Sequence, residues 1–147
     1  MGLDIYACSK IRKIPDSEDA HNLWVNESFN VEGQIVSGSY ESTEEGFSFR
    51  AGSYGGYGQW RQKLSVVAGY KSAEHAWELN SGPFWELIYF SDCEGVIGQE
   101  ASAKLFNDFN TYIDKAHREL SSYDFETFLN FKKAFKIGKD DGCVVFT

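Results

Sequence analysis

The chain has 147 residues, the length of one typical domain, which predicts a single domain over residues 1–147. Its 14 Lys and Arg residues against 22 Asp and Glu residues give a formal net charge of −8. This balance argues against binding to duplex nucleic acid, which needs a basic surface. With 42% hydrophobic and 16% aromatic residues, the chain can bury a core, and disorder throughout is excluded. The aromatic content also fits self-association into a homo-oligomer through an apolar patch.

The sequence shows no sign of export or of membrane insertion. The opening Met1–Tyr6 lacks the basic and apolar regions of a secretory leader. The longest apolar run, Phe84–Phe90, falls far short of the about 20 residues that cross a membrane. Cys8, Cys93 and Cys143 form no CxxC pair and no zinc pattern. We therefore expect a cytoplasmic protein with reduced thiols and no membrane partner.

Short strands separated by turn-forming residues are predicted for the first third of the chain. They are Leu3–Cys8, Leu23–Val25, Gly33–Val36, a short strand at Tyr40, and Phe47–Arg50, whose two Phe rings should point inward. The polar segment Ser9–Asn22, which contains Pro15, is typical of a loop. Ala51–Gly58 holds four glycines and is predicted to connect the last strand to a helix that begins near Gly58.

Apolar residues at spacings of three and four predict helices for most of the remaining chain. The predicted helices run from near Gly58 to a terminating glycine at Gly69, over Ser72–Leu79 with Ser72 as the cap, over Gln99–Leu120, and from about Tyr123 to Ile137 before Gly138. Ser121 with Asp124 resembles a capping box for the last helix. Its predicted buried residues are Phe125, Phe128, Leu129 and Phe135.

Two further segments complete the prediction of the fold. Phe84–Phe90 fits a helix with Pro83 at its first position and a buried strand equally well. Asp141–Gly142 forms a turn into a terminal strand, Cys143–Phe146. The predicted fold class is therefore α+β: a small, mostly antiparallel sheet packed with two long C-terminal helices and one or two shorter ones.

The glycine-rich segment between two arginines is the first candidate binding site. Its glycines let backbone N–H groups approach a ligand closely, and the start of a helix points free amide donors toward it. Arginines can hold phosphate or carboxylate, and aromatic rings can stack on a planar group. The candidate residues are Arg50, Ser53, Tyr54, Tyr57, Trp60 and Arg61. Neither a Walker A loop nor a GxGxxG motif is present, so a flexible connection whose tyrosines pack on the core stays an alternative.

The turn Ser91–Gly95, which follows the apolar run, is the second candidate. Asp92 and Glu94 can form the wall of a binding site, hold a hard cation, or act as an acid–base pair. The alternative is a polar turn that caps the long helix that follows. Cys93 has no adjacent His, and no histidine spacing is typical of a metal site. The sequence therefore assigns no catalytic residue, no metal and no cofactor.

Charge is unevenly distributed along the chain. No Lys or Arg lies between Ile14 and Phe49, whereas this stretch contains eight acidic residues: Asp16, Glu18, Asp19, Glu27, Glu32, Glu41, Glu44 and Glu45. The last predicted helix carries Lys132, Lys133, Lys136 and Lys139. A solvated acidic face and cations that favour a helix C-terminus explain this pattern. The alternative is an acidic patch that docks on a basic partner or mimics nucleic acid.

Several strings in the chain resemble a family of small phage and prophage proteins. They are MGLDIYA at Met1–Ala7, FRAGSYGGY at Phe49–Tyr57 followed by Trp60 and Arg61, GPF at Gly82–Phe84 with ELI at Glu86–Ile88, and FSDCEG at Phe90–Gly95 with Ile97 and Gly98. The resemblance covers most of the chain and supplies no catalytic residues. It implies a protein made in the cytoplasm of an infected bacterium. The family has no settled activity, but small acidic phage proteins without catalytic motifs often act against host defence, so we expect such a role here, through a host protein or through a nucleotide signal.

The residues favour a binding protein over an enzyme. In the leading hypothesis, a small anionic, nucleotide-like ligand is neutralised by the arginines and stacked on the tyrosines, and Asp92 and Glu94 either hold the arginines or accept hydrogen bonds from the ligand. A first alternative is an inhibitor that docks on a host defence protein through Glu41, Glu44 and Glu45. A second alternative is a small hydrolase that uses Asp92 and Glu94 with a recruited cation.

Overall fold

Seven strands and five helices are formed by the described residues of the computed structural model, namely 2–15, 23–25, 31 and 35–147. The strands are β1 (Gly2–Cys8), β2 (Ile11–Ile14), β3 (Leu23–Val25), β4 (Gly38–Ser42), β5 (Phe47–Ser53), β6 (Gly95–Gly98) and β7 (Cys143–Phe146). The helices are α1 (Tyr54–Val67), α2 (Ala73–Leu79), α3 (Trp85–Tyr89), α4 (Gln99–Glu119) and α5 (Ser122–Gly138). These elements confirm the predicted α+β fold, and the recorded strand pairs are antiparallel.

β1 lies inside the main sheet, whose strand order is β5–β1–β7–β6. Side chains alternate between the two faces of a strand. Accordingly, Leu3, Ile5 and Ala7 are buried on the face that carries the helices, whereas Asp4 and Tyr6 lie on the other face. Because β7 pairs with β1, the first and last strands of the chain lie side by side in the middle of the sheet.

α1, α4 and α5 pack on one face of the main sheet around an aromatic core. Phe109 of α4 packs against Phe128 of α5, with ring centroids 4.6 Å apart. Phe131 of α5 stacks on Trp60 of α1 at 5.0 Å. Each buried ring removes roughly 150–250 Å² from water. Aromatic burial therefore supplies much of the contact between the helices, and the two long C-terminal helices are confirmed.

A second sheet, with strand order β2–β4–β3, lies against the opposite face of the main sheet. The contact between them is a small apolar cluster formed by Cys8, Val25, Tyr40, Val96 and Cys143. Cys143 faces this cluster and its neighbour Val144 faces the helices, because side chains alternate along β7. The main sheet is therefore covered on both faces at β7.

The prediction of a loop over Ser9–Asn22 is wrong near its start, where Ile11–Ile14 forms β2. This strand pairs with β4 and places Arg12 opposite Glu41, so strand pairing overrides the polar composition of the segment. Residues 16–22 lie outside the described residues, as do 33 and 34 of the strand predicted over Gly33–Val36; its other two residues are not in a strand. The strands predicted at Leu23–Val25 and around residue 40 are confirmed.

The largest error concerns Ala51–Gly58, where the glycines predict a connecting loop. β5 continues through Gly52 to Ser53, and α1 begins at the next residue, Tyr54. Gly52 has a φ of +122°, a conformation that favours glycine. Ser53 caps the helix, since its Oγ accepts a hydrogen bond from the amide of Gly56 at 3.0 Å. One glycine and one cap therefore replace the loop, and the other three glycines lie inside a helix.

The ambiguous segment Phe84–Phe90 forms the short helix α3. The helix begins at Trp85, and the prediction of Pro83 at its first position is wrong because the intervening Phe84 adopts a φ of +58°. The amide of Phe84 donates to Asp108 Oδ2 at 3.0 Å. Its ring packs edge-on against α4 with centroids 4.8 Å apart, so tertiary contacts hold the unfavourable dihedral angle.

The two serine caps predicted from the sequence are confirmed, whereas the predicted burial of Leu129 and the predicted capping role of the Ser91–Gly95 turn are wrong. Ser72 and Ser121 cap α2 and α5 as predicted, each accepting a hydrogen bond from the amide three residues later. Leu129 is 40% exposed rather than buried, because it lies beside the inward-facing stripe of α5. The turn Ser91–Gly95 leads into β6 and does not cap α4, which begins directly after Gly98.

Candidate functional site

The eight predicted ligand-binding residues do not form one pocket. Arg50 lies on β5, on the face of the main sheet away from α1, and its side chain is 57% exposed. Its guanidinium donates to both carboxylate oxygens of Asp4 on β1, at N–O distances of 2.5 and 2.9 Å. This hydrogen bonding lowers the pKa of Asp4 and raises the pKa of Arg50. Arg50 is therefore already paired within the chain.

Four of the predicted residues belong to the start and the inner face of α1. Ser53 is the cap of the helix, and Tyr54 is half-buried against the core. Tyr57 and Trp60 are buried, with ring centroids 5.9 Å apart. Trp60 Nε1 also donates to the backbone carbonyl of Asp124 at 3.0 Å. The structure thus makes these two rings part of the core, where they anchor α1 to α5.

The hydroxyl of Tyr57 is buried and finds no hydrogen-bond partner among the described residues. Burial raises the pKa of Tyr57, nearby Arg61 lowers it to a smaller extent, and the charge of Asp92 raises it. The phenol is therefore neutral at physiological pH. A buried donor of this kind costs free energy wherever it stays unpaired.

Arg61 has the most unusual environment of the eight residues. It is 9% exposed, and its Nη1 donates to the backbone carbonyls of Ile88 at 3.1 Å and Phe90 at 2.6 Å. Its guanidinium carbon lies 4.7 Å from the centre of the Tyr57 ring, a cation–π distance. No carboxylate of the described residues forms an ion pair with it. Two carbonyl dipoles and a ring face thus hold this buried cation.

Arg61 also joins α1 to the turn that contains Asp92 and Glu94, because one of the carbonyls it binds directly precedes that turn. Within the turn, Ser91 Oγ accepts hydrogen bonds from the amides two and three residues later, at 3.3 and 3.2 Å. Asp92 is half-buried and within electrostatic range of Tyr57, whereas Glu94 is exposed. The structure therefore brings Tyr57, Arg61 and Asp92 together and leaves Glu94 at the surface.

A groove of about 340 Å³ opens between α1 and α2 beside Arg61. This α1–α2 groove is lined by Gly55, Gly58, Gln59, Arg61, Gln62, Ala73 and Trp77. Both glycines border open space, since a Cβ atom at either position would meet nothing within 4 Å. Trp77 is 43% exposed, and its Nε1 donates to the backbone carbonyl of Ile88 at 3.1 Å. That carbonyl also accepts from Arg61, so α1, α2 and α3 meet at one oxygen atom.

Gln62 fixes the two helices of the groove relative to each other. Its Oε1 accepts a hydrogen bond from the amide of Ala73, the first residue of α2, at 2.9 Å. Its Nε2 donates to the carboxylate of Glu74 at 3.0 and 3.2 Å. The walls of the groove are therefore held in place before any ligand arrives.

Sequence reasoning assigns no binding role to four residues of the groove: Gln59, Gln62, Ala73 and Trp77. The signal for the first two is periodicity, because residues 55, 58, 59 and 62 share one face of a helix. In a helix that begins near Gly58, residue 55 would lie outside the helix and the shared face would not be recognised. With the observed start at Tyr54, all four residues belong to α1 and share this face. No comparable signal marks Trp77, since its place beside α1 depends on how α2 folds back.

The acidic stretch is partly neutralised where the structure describes it. Glu41 pairs with Arg12, and Glu44 pairs with Lys10 at 3.4 Å, while Glu45 is exposed. Outside the described residues lie the other five acidic residues of the stretch: Asp16, Glu18, Asp19, Glu27 and Glu32. The basic residues of β2 and of the preceding turn therefore offset two of the three described carboxylates.

No family model, no curated protein and no solved structure matches the chain. Within the described ranges, no helix combines the length and the apolar character needed to cross a membrane. The same residues contain no group of three or more His, Cys, Asp or Glu side chains that could hold a metal ion. The residues that line the α1–α2 groove are therefore the basis for assigning its function.

Proposed function

We propose that the protein binds a small planar anion of the nucleotide type in the α1–α2 groove and releases it unchanged. The observation that carries this proposal is Arg61, a cation with 9% exposure and no ion pair to a described carboxylate. The groove beside it supplies space, and Trp77 supplies a partly exposed ring. The function is sequestration rather than turnover.

Charge is the first argument for an anionic ligand. Burying a cation is costly, since water solvates an ion far better than a protein interior does. The two carbonyls and the Tyr57 ring offset part of this cost. A guanidinium has five N–H donors, and the hydrogen bonds of Arg61 to the described residues use Nη1 alone. A phosphate or carboxylate in the groove would add the opposite charge and accept from the remaining donors.

The size and the lining of the groove favour a flat ligand no larger than a mononucleotide. Its volume of about 340 Å³ lies near the lower end of small-molecule sites, which span roughly 300–1,000 Å³. Trp77 offers a ring for stacking, and base–aromatic stacking contributes about 1–3 kcal/mol per base. Gly55 and Gly58 let a ring approach the backbone of α1 closely. The amide of Gln59 can both donate to and accept from the edge of a base.

The composition of the lining favours binding over catalysis. Its seven residues include neither a nucleophile nor a carboxylate to act as a general base. The carboxylate of Glu74 is engaged by Gln62, and Asp92 belongs to the turn after Phe90; neither residue lines the groove. Glu94 is exposed on the same turn. The hydrolase alternative therefore has less support than sequestration.

The cellular role that we propose is removal of a nucleotide signal of host defence. It is supported by the resemblance of the chain to small phage proteins, together with the nucleotide-like ligand that suits the groove. Docking of a host defence protein on the acidic face is the competing proposal. Its support is weaker, because two of the three described carboxylates there are paired within the chain.

Isothermal titration calorimetry with adenosine and guanosine 5′-monophosphates tests the binding proposal. Adenosine alone and inorganic phosphate alone serve as the two halves of the ligand. We expect the whole nucleotide to bind more tightly than either half, because Arg61 and Trp77 hold different parts of it. Binding of phosphate and of the nucleotide with equal affinity would contradict a stacking role for Trp77, and no binding of any of these probes would overturn the proposal.

Gly58→Leu is the variant that fills the groove without disturbing the core. Its side chain meets open space, and Leu favours a helix over Gly by roughly 1 kcal/mol, so the melting temperature should stay the same or rise. Nucleotide affinity should fall at least tenfold. Val66→Leu adds bulk to an exposed position of α1 outside the groove and is the matched control. Equal affinity in the Gly58→Leu and Val66→Leu variants would place the ligand elsewhere.

Native mass spectrometry and chromatography of the released ligand separate sequestration from turnover. After incubation with excess nucleotide, we expect a one-to-one complex and recovery of the nucleotide with its original mass. Recovery of a dephosphorylated or otherwise altered product would establish an enzyme and refute the sequestration proposal.

A further inference from the structure

Two buried cysteines lie directly opposite each other at one end of the two central strands of the main sheet. Cys8 is the last residue of β1, Cys143 is the first residue of β7, and the two are partners in the strand register. Their Sγ atoms are 3.6 Å apart, and both residues are almost completely buried. Both are free thiols, and neither lies near the α1–α2 groove in the fold, since they face the second sheet.

The backbone geometry at this pair suits a covalent link. Asp4 and Thr147 exchange two backbone hydrogen bonds, at 2.9 and 3.0 Å. Because such pairs alternate along an antiparallel ladder, Cys8 and Cys143 also occupy a hydrogen-bonded pair, in which Cα atoms lie about 5.5 Å apart. Disulfides join Cα atoms that are about 4.4–6.8 Å apart. The Cα spacing is therefore compatible with a disulfide, and closing the bond from the Sγ–Sγ distance of 3.6 Å also requires the two Cβ atoms to come within about 3.5–4.5 Å of each other.

We propose that Cys8 and Cys143 are an oxidation site, which a hydroperoxide converts into an intramolecular disulfide. In the first step, one thiolate attacks the peroxide, its sulfur becomes a sulfenic acid, and the O–O bond breaks with release of an alcohol or water. In the second step, the other thiol attacks this sulfur and expels water. The two thiols lose two electrons and two protons, and the peroxide gains them.

The two thiols interact electrostatically through their contact, in which either sulfur atom can be the donor. This contact lowers the pKa of Cys8, and the same contact together with burial raises the pKa of Cys143 well above its ordinary value. Ionisation of one thiol therefore keeps the other protonated, and either cysteine can be the one that attacks the peroxide.

The disulfide would tie together the first and the last strand of the chain. The cysteines are 135 positions apart, and a link across so long a loop strongly restricts the unfolded chain. Oxidation should therefore raise the melting temperature. Cys93, by contrast, is exposed on the Ser91–Gly95 turn, with its sulfur 3.6 Å from the hydroxyl oxygen of Ser91. It can be oxidised too, but without an intramolecular partner among the described cysteines.

The experiment uses the full chain carrying Cys93→Ser, so that only the buried pair can react. The protein is incubated with hydrogen peroxide, denatured, alkylated and weighed by mass spectrometry, before and after reduction. We expect a loss of two hydrogen atoms, no alkylation, a melting temperature several degrees higher, and reversal by a phosphine reductant. Cys8→Ser and Cys143→Ser, each in the same background, are the controls that cannot close the ring.

Three outcomes would overturn the proposal. One is full alkylation of both cysteines after prolonged oxidation. Another is irreversible addition of oxygen atoms to either sulfur without loss of hydrogen, which would show that the partner thiol does not reach it. A third is a disulfide that forms only between two molecules, detected as a covalent dimer that reduction converts into monomers.

Discussion

Arg50 and Arg61 flank the same glycine-rich segment, yet the fold gives them opposite environments. Arg50 leaves β5 on the outer face of the sheet, where Asp4 on the neighbouring strand already pairs with it in solvent. Arg61 lies on α1, buried between the helices, where carbonyls and the Tyr57 ring surround it. The residue type is the same, but Arg50 forms an ion pair with Asp4, whereas Arg61 forms none with a described carboxylate. Candidate anion sites are therefore better ranked by burial and pairing than by sequence pattern.

The cause of the difference is the change of element at Ser53. Along a strand, side chains alternate between two faces, so Arg50 points away from the side to which Phe49 and Ala51 point. Along a helix, residues four apart share a face, so Arg61 follows Tyr57 into the interior. One strand-to-helix junction thus separates two arginines that the sequence places in one site.

Replacing each arginine with methionine gives the largest contrast. Arg61→Met removes the donor to Phe90 and the cation above Tyr57, and relief of a buried charge offsets part of the loss. We expect the free energy of unfolding to fall by about 1–3 kcal/mol in urea denaturation. Arg50→Met is the matched control, and its effect should be much smaller. An equal loss in both variants would show that the two arginines contribute equally to stability, despite their different environments.

Tyr57→Phe tests whether the buried hydroxyl beside Arg61 is unpaired. The change deletes a hydroxyl that has no partner among the described residues and keeps the ring beneath Arg61. We expect the free energy of unfolding to stay the same or rise by up to about 1 kcal/mol, because an unpaired polar group is removed. A loss above about 1 kcal/mol in chemical denaturation would mean that the hydroxyl makes a stabilising bond.

Loss of the exposed Arg50–Asp4 pair should have the smallest effect on stability, and the size of this effect should depend on pH. Because the hydrogen bond from Arg50 lowers the pKa of Asp4 in the folded state, the pair stabilises the fold above the ordinary pKa of 3.8. This contribution is lost as the pH falls through the lowered value. Arg50→Ala should therefore flatten the dependence of stability on pH below the ordinary pKa of 3.8, measured by thermal unfolding at low salt. An unchanged profile would show that the pair contributes nothing.

Sequence reasoning recovers the parts of the fold that depend on local pattern. The α4 and α5 helices follow from apolar residues at spacings of three and four, and Ser72 and Ser121 follow from capping chemistry. The start of α1 does not follow, because glycines predict a loop unless a cap and tertiary packing compensate for their low helix propensity. β2 is missed because its partner strand lies about thirty positions away.

The candidate site is recovered only in part. Arg61 is identified from residue type and lines the groove, whereas Asp92 is within electrostatic range of Tyr57 but does not line the groove. Trp77 is missed, because its position beside α1 depends on a hydrogen bond from α2 to the end of α3. Pairing of Arg50 with Asp4 also requires the register of β1 and β5, which no local pattern specifies.

Nuclear magnetic resonance of the ¹⁵N-labelled protein, titrated with adenosine 5′-monophosphate, shows directly whether the nucleotide binds in the α1–α2 groove. We expect the largest chemical-shift changes at the side-chain signals of Arg61 and the indole N–H of Trp77, and at the amides of Gly55 and Gly58. The guanidinium signal of Arg50 should not move. Changes centred on Arg50, or no changes at millimolar nucleotide, would contradict a nucleotide site between α1 and α2.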